Sequence, residues 1–286
     1  MSFEIKNKDF IKDVHPVIKD ENIKYFSPNE LFSVEASLDS LIPWINSVDN
    51  LENKEILIFG TGGGGTVVAC ALNIGVGKVY GVDISDDAIS TAIKRAEVYG
   101  VSDKIELKYL QDTYPLPYDN EKFDMVIVAD VIEHIVNDRR KYLRETFRVI
   151  KKNGLLIITG TPNCLYPKDY HTTGLYFIPW LPSKLASKYA VLRGKWEKGK
   201  DLDYAGRKGA NYWQIIKWLK GFDYQVLNIK PGFTSGYLKN HNRLKSFKRK
   251  ILFKPYEISE WVLTNIFKIP ITAFMPYINH LFIRKK

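Results

Sequence analysis

EILIFGTGGGG, residues 55–65, runs a short apolar stretch directly into five glycines within six positions. The Ile, Leu and Phe side chains read as a strand buried on both faces. Bare backbone after it permits a tight turn and lets a ligand approach the N-terminus of the next helix. That helix is TVVACALNIG, residues 66–75, closed by Gly75. Two glycine spacings fit at once: Gly60, Gly62 and Gly65 give G-x-G-x-x-G, and Gly60, Gly62 and Gly64 give G-x-G-x-G. Strand, glycine turn and helix together open a nucleotide-binding α/β unit.

Outward from this turn, apolar runs alternate with helical stretches. KVYGVDI at 78–84, IELKYL at 105–110, FDMVIVAD at 123–130, GLLIITG at 154–160 and YQVLNI at 224–229 read as further strands. Ser85 and Asp86 offer an N-cap for DAISTAIKRAEVYG, which Gly100 stops, and VNDRRKYLRETFRVIKKNG is expected as a helix ending at Gly154. HLFIRKK at 280–286 adds a last strand. The expectation is a doubly wound, mostly parallel seven-stranded α/β sheet of Rossmann-like kind. Residues 1–54 form an N-terminal helical cap, including SPNELFSVEASLDSLIPWI, placed to cover the cofactor cleft. Residues 55–286 form the main domain, with insertions at 161–210, a substrate cap rich in Tyr, Trp and Pro, and at 230–279.

Composition narrows the function. Hydrophobic residues at 45% and charged residues at 26% describe a folded globular chain. The two cysteines, Cys70 and Cys164, have no Cys or His partner at metal-ligand spacing, which excludes a disulfide scaffold and a zinc ribbon and suits a reducing cytoplasm. MSFEIKNKDF carries no apolar signal-peptide core. The net charge of +10 is local: residues 236–286 hold eleven Lys and Arg against Glu257 and Glu260.

Asp83 ends the second strand about twenty residues past the glycines, where a carboxylate accepts hydrogen bonds from ribose hydroxyls. The same carboxylate suits a helix N-cap, although Ser85 and Asp86 already supply that role.

At this point the chain resembles the class I S-adenosylmethionine-dependent methyltransferases, particularly the branch that includes the ubiquinone-biosynthesis O-methyltransferases. The resemblance spans residues 55–163 and rests on the glycine turn with Asp83, QDTYPLPY at 111–118, FDMVIVADVIEHI at 123–135 and KKNGLLIITGTPN at 151–163. It implies a sheet of order 3-2-1-4-5-7-6 with HLFIRKK as the antiparallel seventh strand, and S-adenosyl-L-methionine as cofactor, Gly60, Gly62 and Gly64 facing its methionine part and Asp83 its ribose. Asp112 would meet the adenine amino group, Ile84 would pack on the ring, and Ala129 or Asp130 would line the floor. The family usually carries an acid two residues before the first glycine; here the residue is Ile58.

Methyl transfer to oxygen needs a base, and His134, just after the fourth strand, is the candidate; His171 in the aromatic insertion is the second. His134 equally suits a hydrogen-bonded residue at a helix start. Asp130, Glu133 and His134 also match a D/E-x-x-E-H arrangement that resembles a magnesium cluster, and the metal stays unassigned. ADVIEHI lacks the Asn/Asp-Pro-Pro-aromatic signature of enzymes that methylate base amino groups, so nucleic acid is not the expected acceptor. The expected acceptor is a small-molecule, lipid-linked or saccharide compound methylated on oxygen, with carbon or nitrogen as the alternative. An NAD(P)-dependent oxidoreductase, or a silent cofactor-binding module, satisfies the glycines and Asp83 as well.

Residues 239–254 contain seven Lys or Arg and no acid, and lead into YEISEWVLTNIFKI. There Ile258, Val262, Ile266 and Ile269 share a face with Trp261 beside them, while Glu257, Glu260 and Thr264 lie elsewhere. Two readings stand: residues 239–269 meet an anionic membrane surface from the cytoplasmic side, or they cap the pocket as a soluble helical pair. Lys268, Pro270 and Pro276 interrupt the apolar stretch at 261–283 and argue against a membrane span.

Overall fold

The computed structural model describes residues 33–73, 75–240 and 247–286, with 240 and 247–252 described by their backbone alone. The first part of the expected N-terminal cap, the basic residues at 243–250 and Ile74 therefore lie outside the described residues or side chains. The strands make a mostly parallel seven-stranded sheet of order β3-β2-β1-β4-β5-β9-β7, together with a two-stranded sheet β6-β8. The chain divides into two compact units. One comprises the described residues up to Pro117 with Lys122–Met125, the other Tyr118–Glu121 with Val126–Lys286.

In the first unit, β1 (Glu55–Phe59) leads through the glycine turn into α1 (Gly65–Ala71). β2 (Lys78–Asp83), α2 (Asp86–Val98) and β3 (Ile105–Tyr109) come next. β1 pairs parallel with β2, Ile56 opposite Val79 and Phe59 opposite Val82, and β2 pairs parallel with β3. Parallel neighbours require a crossover, and α1 and α2 supply the two. Ser85 caps α2 as expected, its hydroxyl accepting from the Ala88 N–H, and Gly100 turns the chain away at φ 66°. A helical segment precedes the sheet. Its turns Ser33–Ala36 and Ile42–Val48 flank a π turn, Ser37–Leu41. Ser33 bonds the buried Arg95 guanidinium of α2, and Glu35 accepts from the Tyr99 hydroxyl at 2.9 Å. A side chain at Gly65 would collide with Ser33, so the segment sits hard against the start of α1.

The second unit takes in the rest of β4 (Phe123–Ala129), then α3 (Arg139–Arg148) and β5 (Ile150–Thr159). The expected helix ending at Gly154 is corrected here. The helix stops at Arg148, and residues 150–154 already belong to β5, because Val149 and Ile150 are fully buried β-formers that the sheet claims. β6 (Thr161–Pro162), α4 (Ser183–Leu192), α5 (Tyr212–Trp218), β7 (Tyr224–Val226), α6 (Phe233–Asn240), α7 (Phe247–Val262), β8 (Tyr277–Ile278) and β9 (Leu281–Lys285) complete it. β9 runs antiparallel to both β5 and β7, Leu155 opposite Arg284 and Val226 opposite Ile283. The sixth expected strand is short, since Leu227–Ile229 forms a 3-10 turn.

The 161–210 insertion has a small core of its own. Ile178, Ala186, Ala190 and Leu202 are buried together, with Leu175, Leu181, Tyr189 and Trp196 packed around them. The buried Arg207 guanidinium ties that core down, donating to the Leu181 carbonyl at 3.0 Å and pairing with Asp203. A buried cation keeps its charge only when so paired.

Candidate active site

In the first unit the glycine turn and the end of β2 are one hydrogen-bonded piece. Gly60 and Thr61 donate to the Val82 carbonyl at 2.9 and 3.1 Å, and the Gly62 N–H donates to Asp83 Oδ2 at 2.9 Å. Asp83 Oδ1 accepts from the Ser85 N–H at 2.9 Å. Gly60, Gly62 and Gly64 all have positive φ, at 78°, 48° and 84°. Their reasons differ. A Cβ on Gly64 would come within 2.7 Å of the Ala92 Cβ, so its bareness serves the packing of the turn onto α2. A Cβ on Gly62 would meet nothing within 4 Å, so its backbone faces open space. Gly81, which the sequence reading passed over, lets Thr61 and Leu107 close over the middle of β2.

Ile84 comes after Asp83 with 56% of its surface exposed, an apolar platform at the end of β2. Asp112 lies exposed after β3, its Oδ1 accepting from the Tyr114 N–H at 3.0 Å, which orders the turn that carries it. This donor set suits an adenosine: a half-buried carboxylate whose oxygens each retain a lone pair for ribose hydroxyls, an apolar surface, and a second carboxylate that accepts from an exocyclic amine. Gly62 supplies the open backbone beside them.

The second unit holds Ala129, Asp130 and both histidines. Ala129 is half-buried at the end of β4, and Asp130 has φ 54° with its N–H on the Thr159 carbonyl at 3.1 Å. Its carboxylate fills the space a side chain at Gly160 would need. Glu133 is fully buried, and neither carboxylate oxygen has a hydrogen-bond partner among the described residues. Burial pushes its carboxyl up to about 8, and the nearby Asp130 charge adds to the rise. The Thr161 hydroxyl lies close by and favours the ionised form, but stands outside hydrogen-bonding geometry.

His134 is exposed, and its Nδ1 is 3.0 Å from the Tyr204 carbonyl. A carbonyl only accepts, so Nδ1 carries a proton, and in the neutral ring Nε2 keeps its lone pair. The His171 ring lies 5.5 Å from that of His134. Burial holds His171 below the ordinary imidazole range, and the His134 charge adds to this. The structure therefore brings the two histidines together from segments far apart in sequence.

Two residues that the sequence reading missed hold this arrangement. The buried Asp169 carboxylate accepts from the N–H groups of His171, Thr172 and Thr173 at 3.0, 2.9 and 2.8 Å, fixing the turn that presents His171. Arg139 donates to the Ile135 carbonyl at 2.7 Å and the Glu133 carbonyl at 3.2 Å. The Tyr277 phenol is raised above its ordinary range by burial and by the nearby Asp169, Asp130 and Glu133 carboxylates. D-x-H-T-T at 169–173, an acid with small hydroxyl residues shortly after it, was the available signal for the first. Glu133, His134 and His171 each offer one ligand atom within 4.8 Å of the others, and Asp130 of the expected D/E-x-x-E-H cluster is not among them. A divalent cation would need Glu133 ionised, so proton and cation compete for the same place.

Residues 57–158 match the family model described as a methyltransferase domain. Among curated relatives, norajmaline N-methyltransferase of Rauvolfia serpentina is 30% identical over 123 residues, 42% of this chain and 41% of that one. Ubiquinone biosynthesis O-methyltransferase of Pelagibacter ubique is 28% identical over 134 residues, 46% of this chain and 52% of that one. The chain thus spans about half the length of these relatives or less. A Galdieria sulphuraria structure assigned as a sarcosine dimethylglycine methyltransferase superposes with a TM-score of 0.52 at 15% identity, covering 97% of this chain and 98% of its own, which is a likeness of fold. With the glycine turn, Asp83 and the sheet order in place, residues 57–158 carry a methyltransferase domain.

Proposed function

We propose that the protein transfers a methyl group from S-adenosylmethionine to a hydroxyl oxygen of a small-molecule acceptor, lipid-linked or saccharide in class. Bound S-adenosylmethionine supplies an electrophilic methyl carbon on a positively charged sulfur. This chain's part is to hold the cofactor, with Asp83 on the ribose, Asp112 toward the adenine and Ile84 against its ring, and to take a proton from the acceptor. The observation that carries the oxygen reading is the His134–His171 pair. The Tyr204 carbonyl fixes the His134 tautomer that leaves Nε2 as a base, and a hydroxyl nucleophile needs one where a neutral amine does not. The methyltransferase match over 57–158 favours this reading over a nicotinamide-dependent oxidoreductase.

The test has two parts. Calorimetric titration should show binding of S-adenosylmethionine and its demethylated product, and none of reduced nicotinamide dinucleotide. Release of S-adenosylhomocysteine is then measured with sugar and isoprenoid alcohols and with matched amines. Turnover on amines alone would overturn the oxygen assignment. Cofactor binding with no turnover on any acceptor would favour a silent module.

A further inference from the structure

The end of α7 and the π turn after it, Leu263–Phe267, bury two polar side chains, Glu260 and Thr264, while four large apolar ones stand exposed. Glu260 is fully buried, its two oxygens accepting from the Thr234 N–H at 2.7 Å and the Ser235 N–H at 3.0 Å in the first turn of α6. Thr264 is buried beside it, bonded to the Glu260 carbonyl at 2.7 Å. Glu257 pairs with Lys239 near the far end of α6. A carboxylate on the exposed amides of a helix start is a well-compensated burial, so this polar seam holds α6 and α7 together. On the outside stand Ile258, Trp261, Ile266 and Phe267, with exposures of 63, 56, 62 and 59%. Ordinary surface helices show the reverse arrangement.

We infer that this outward face docks on an anionic phospholipid surface. The occupant is set by charge. Residues 239–254 carry seven Lys and Arg and no acid. A second copy would bring the same charge against itself, whereas an anionic leaflet attracts it and receives the apolar row at the headgroup boundary. Trp261 and Phe267 are of the kind that settle there. No helix among the described residues is long and apolar enough to cross a membrane, so the element lies on the surface. This inference does not depend on which acceptor is methylated.

The full chain is floated with vesicles of phosphatidylcholine alone and of phosphatidylcholine with phosphatidylglycerol, at low and at high salt. Recovery should require phosphatidylglycerol and fall at least tenfold at high salt. A variant with Trp261→Ser and Ile266→Ser, both exposed and outside the Glu260 seam, should lose at least tenfold in binding at unchanged melting temperature. Brominated lipids should quench tryptophan fluorescence in the parent and less in Trp261→Phe. Equal recovery with neutral vesicles, no effect of the double change, or a parent dimer that the double change dissociates would each overturn the assignment; the last would give the face to a second copy.

Discussion

The Gly62 N–H donates to Asp83 at 2.9 Å, so the residue proposed to hold a ribose also pins the glycine turn. One carboxylate does two things, and its second oxygen starts the next helix through Ser85. Asp83→Ala should therefore weaken S-adenosylmethionine binding by roughly ten- to a hundredfold, since a hydrogen bond to a charged group is worth about 1.5–3 kcal/mol. It should also lower the melting temperature by a few degrees. Calorimetry and a thermal melt on the same preparation check both; unchanged affinity in a folded variant would remove Asp83 from the ribose.

The glycines of the turn should separate by assay. Gly64→Ala adds a methyl 2.7 Å from Ala92 at φ 84°, so it should cost stability, on the order of 2 kcal/mol or more. Gly62→Ala meets open space and carries only the left-handed backbone penalty, about 1 kcal/mol. Its larger effect should fall on cofactor affinity, where the methyl occupies ligand space. Differential scanning calorimetry and cofactor titration across the two variants would show opposite rankings.

The parts of this molecule written in local sequence were legible. Strand, glycine turn and capped α2 come from apolar runs and from Ser85, Gly62 and Asp83 in their local settings, while the sheet order follows from the family resemblance. Three features were not. The start of β5 at Ile150 was hidden because residues 149–154 mix helix-compatible lysines with β-branched residues, and burial decided the matter. His171 beside His134 depends on how the insertion folds back on Asp169, a contact no spacing encodes. In α7 the periodicity sets Ile258 and Trp261 apart from Glu260, although Val262 of the expected apolar face is half-buried. The periodicity does not say which side faces water. Glu260 on the α6 amides settles that.

Stability should depend on pH through Glu133. Its carboxyl lies at about 8 in the fold against an ordinary 4.5, so between these values the native state binds more protons than the unfolded one. Such a difference makes stability greatest below about 4.5 and progressively smaller as pH rises toward 8, by up to a few kcal/mol. Glu133→Gln removes the titration while keeping the shape. The variant should thus gain on the parent steadily between pH 5 and pH 8 in urea denaturation; parallel curves would mean that Glu133 is ionised in the fold.

His134 should carry the proton from the acceptor. Its Nδ1 is committed to the Tyr204 carbonyl at 3.0 Å, which orients the ring and leaves Nε2 as the free base. The ring is exposed, so removing it leaves no buried cavity and the fold should stand. His171 sits 5.5 Å away, held below the ordinary imidazole range by burial, and adds no bond to His134 among those described. General-base catalysis contributes about 10²–10⁴-fold, so His134→Ala should lower turnover on a hydroxyl acceptor at least a hundredfold with cofactor affinity unchanged. His171→Ala should cost less, through a looser setting of the His134 ring rather than loss of the base. Measuring turnover and cofactor affinity together separates the roles. A large loss with His171→Ala and none with His134→Ala would exchange the two assignments, and full turnover in both would mean that the acceptor loses its proton without help from either histidine.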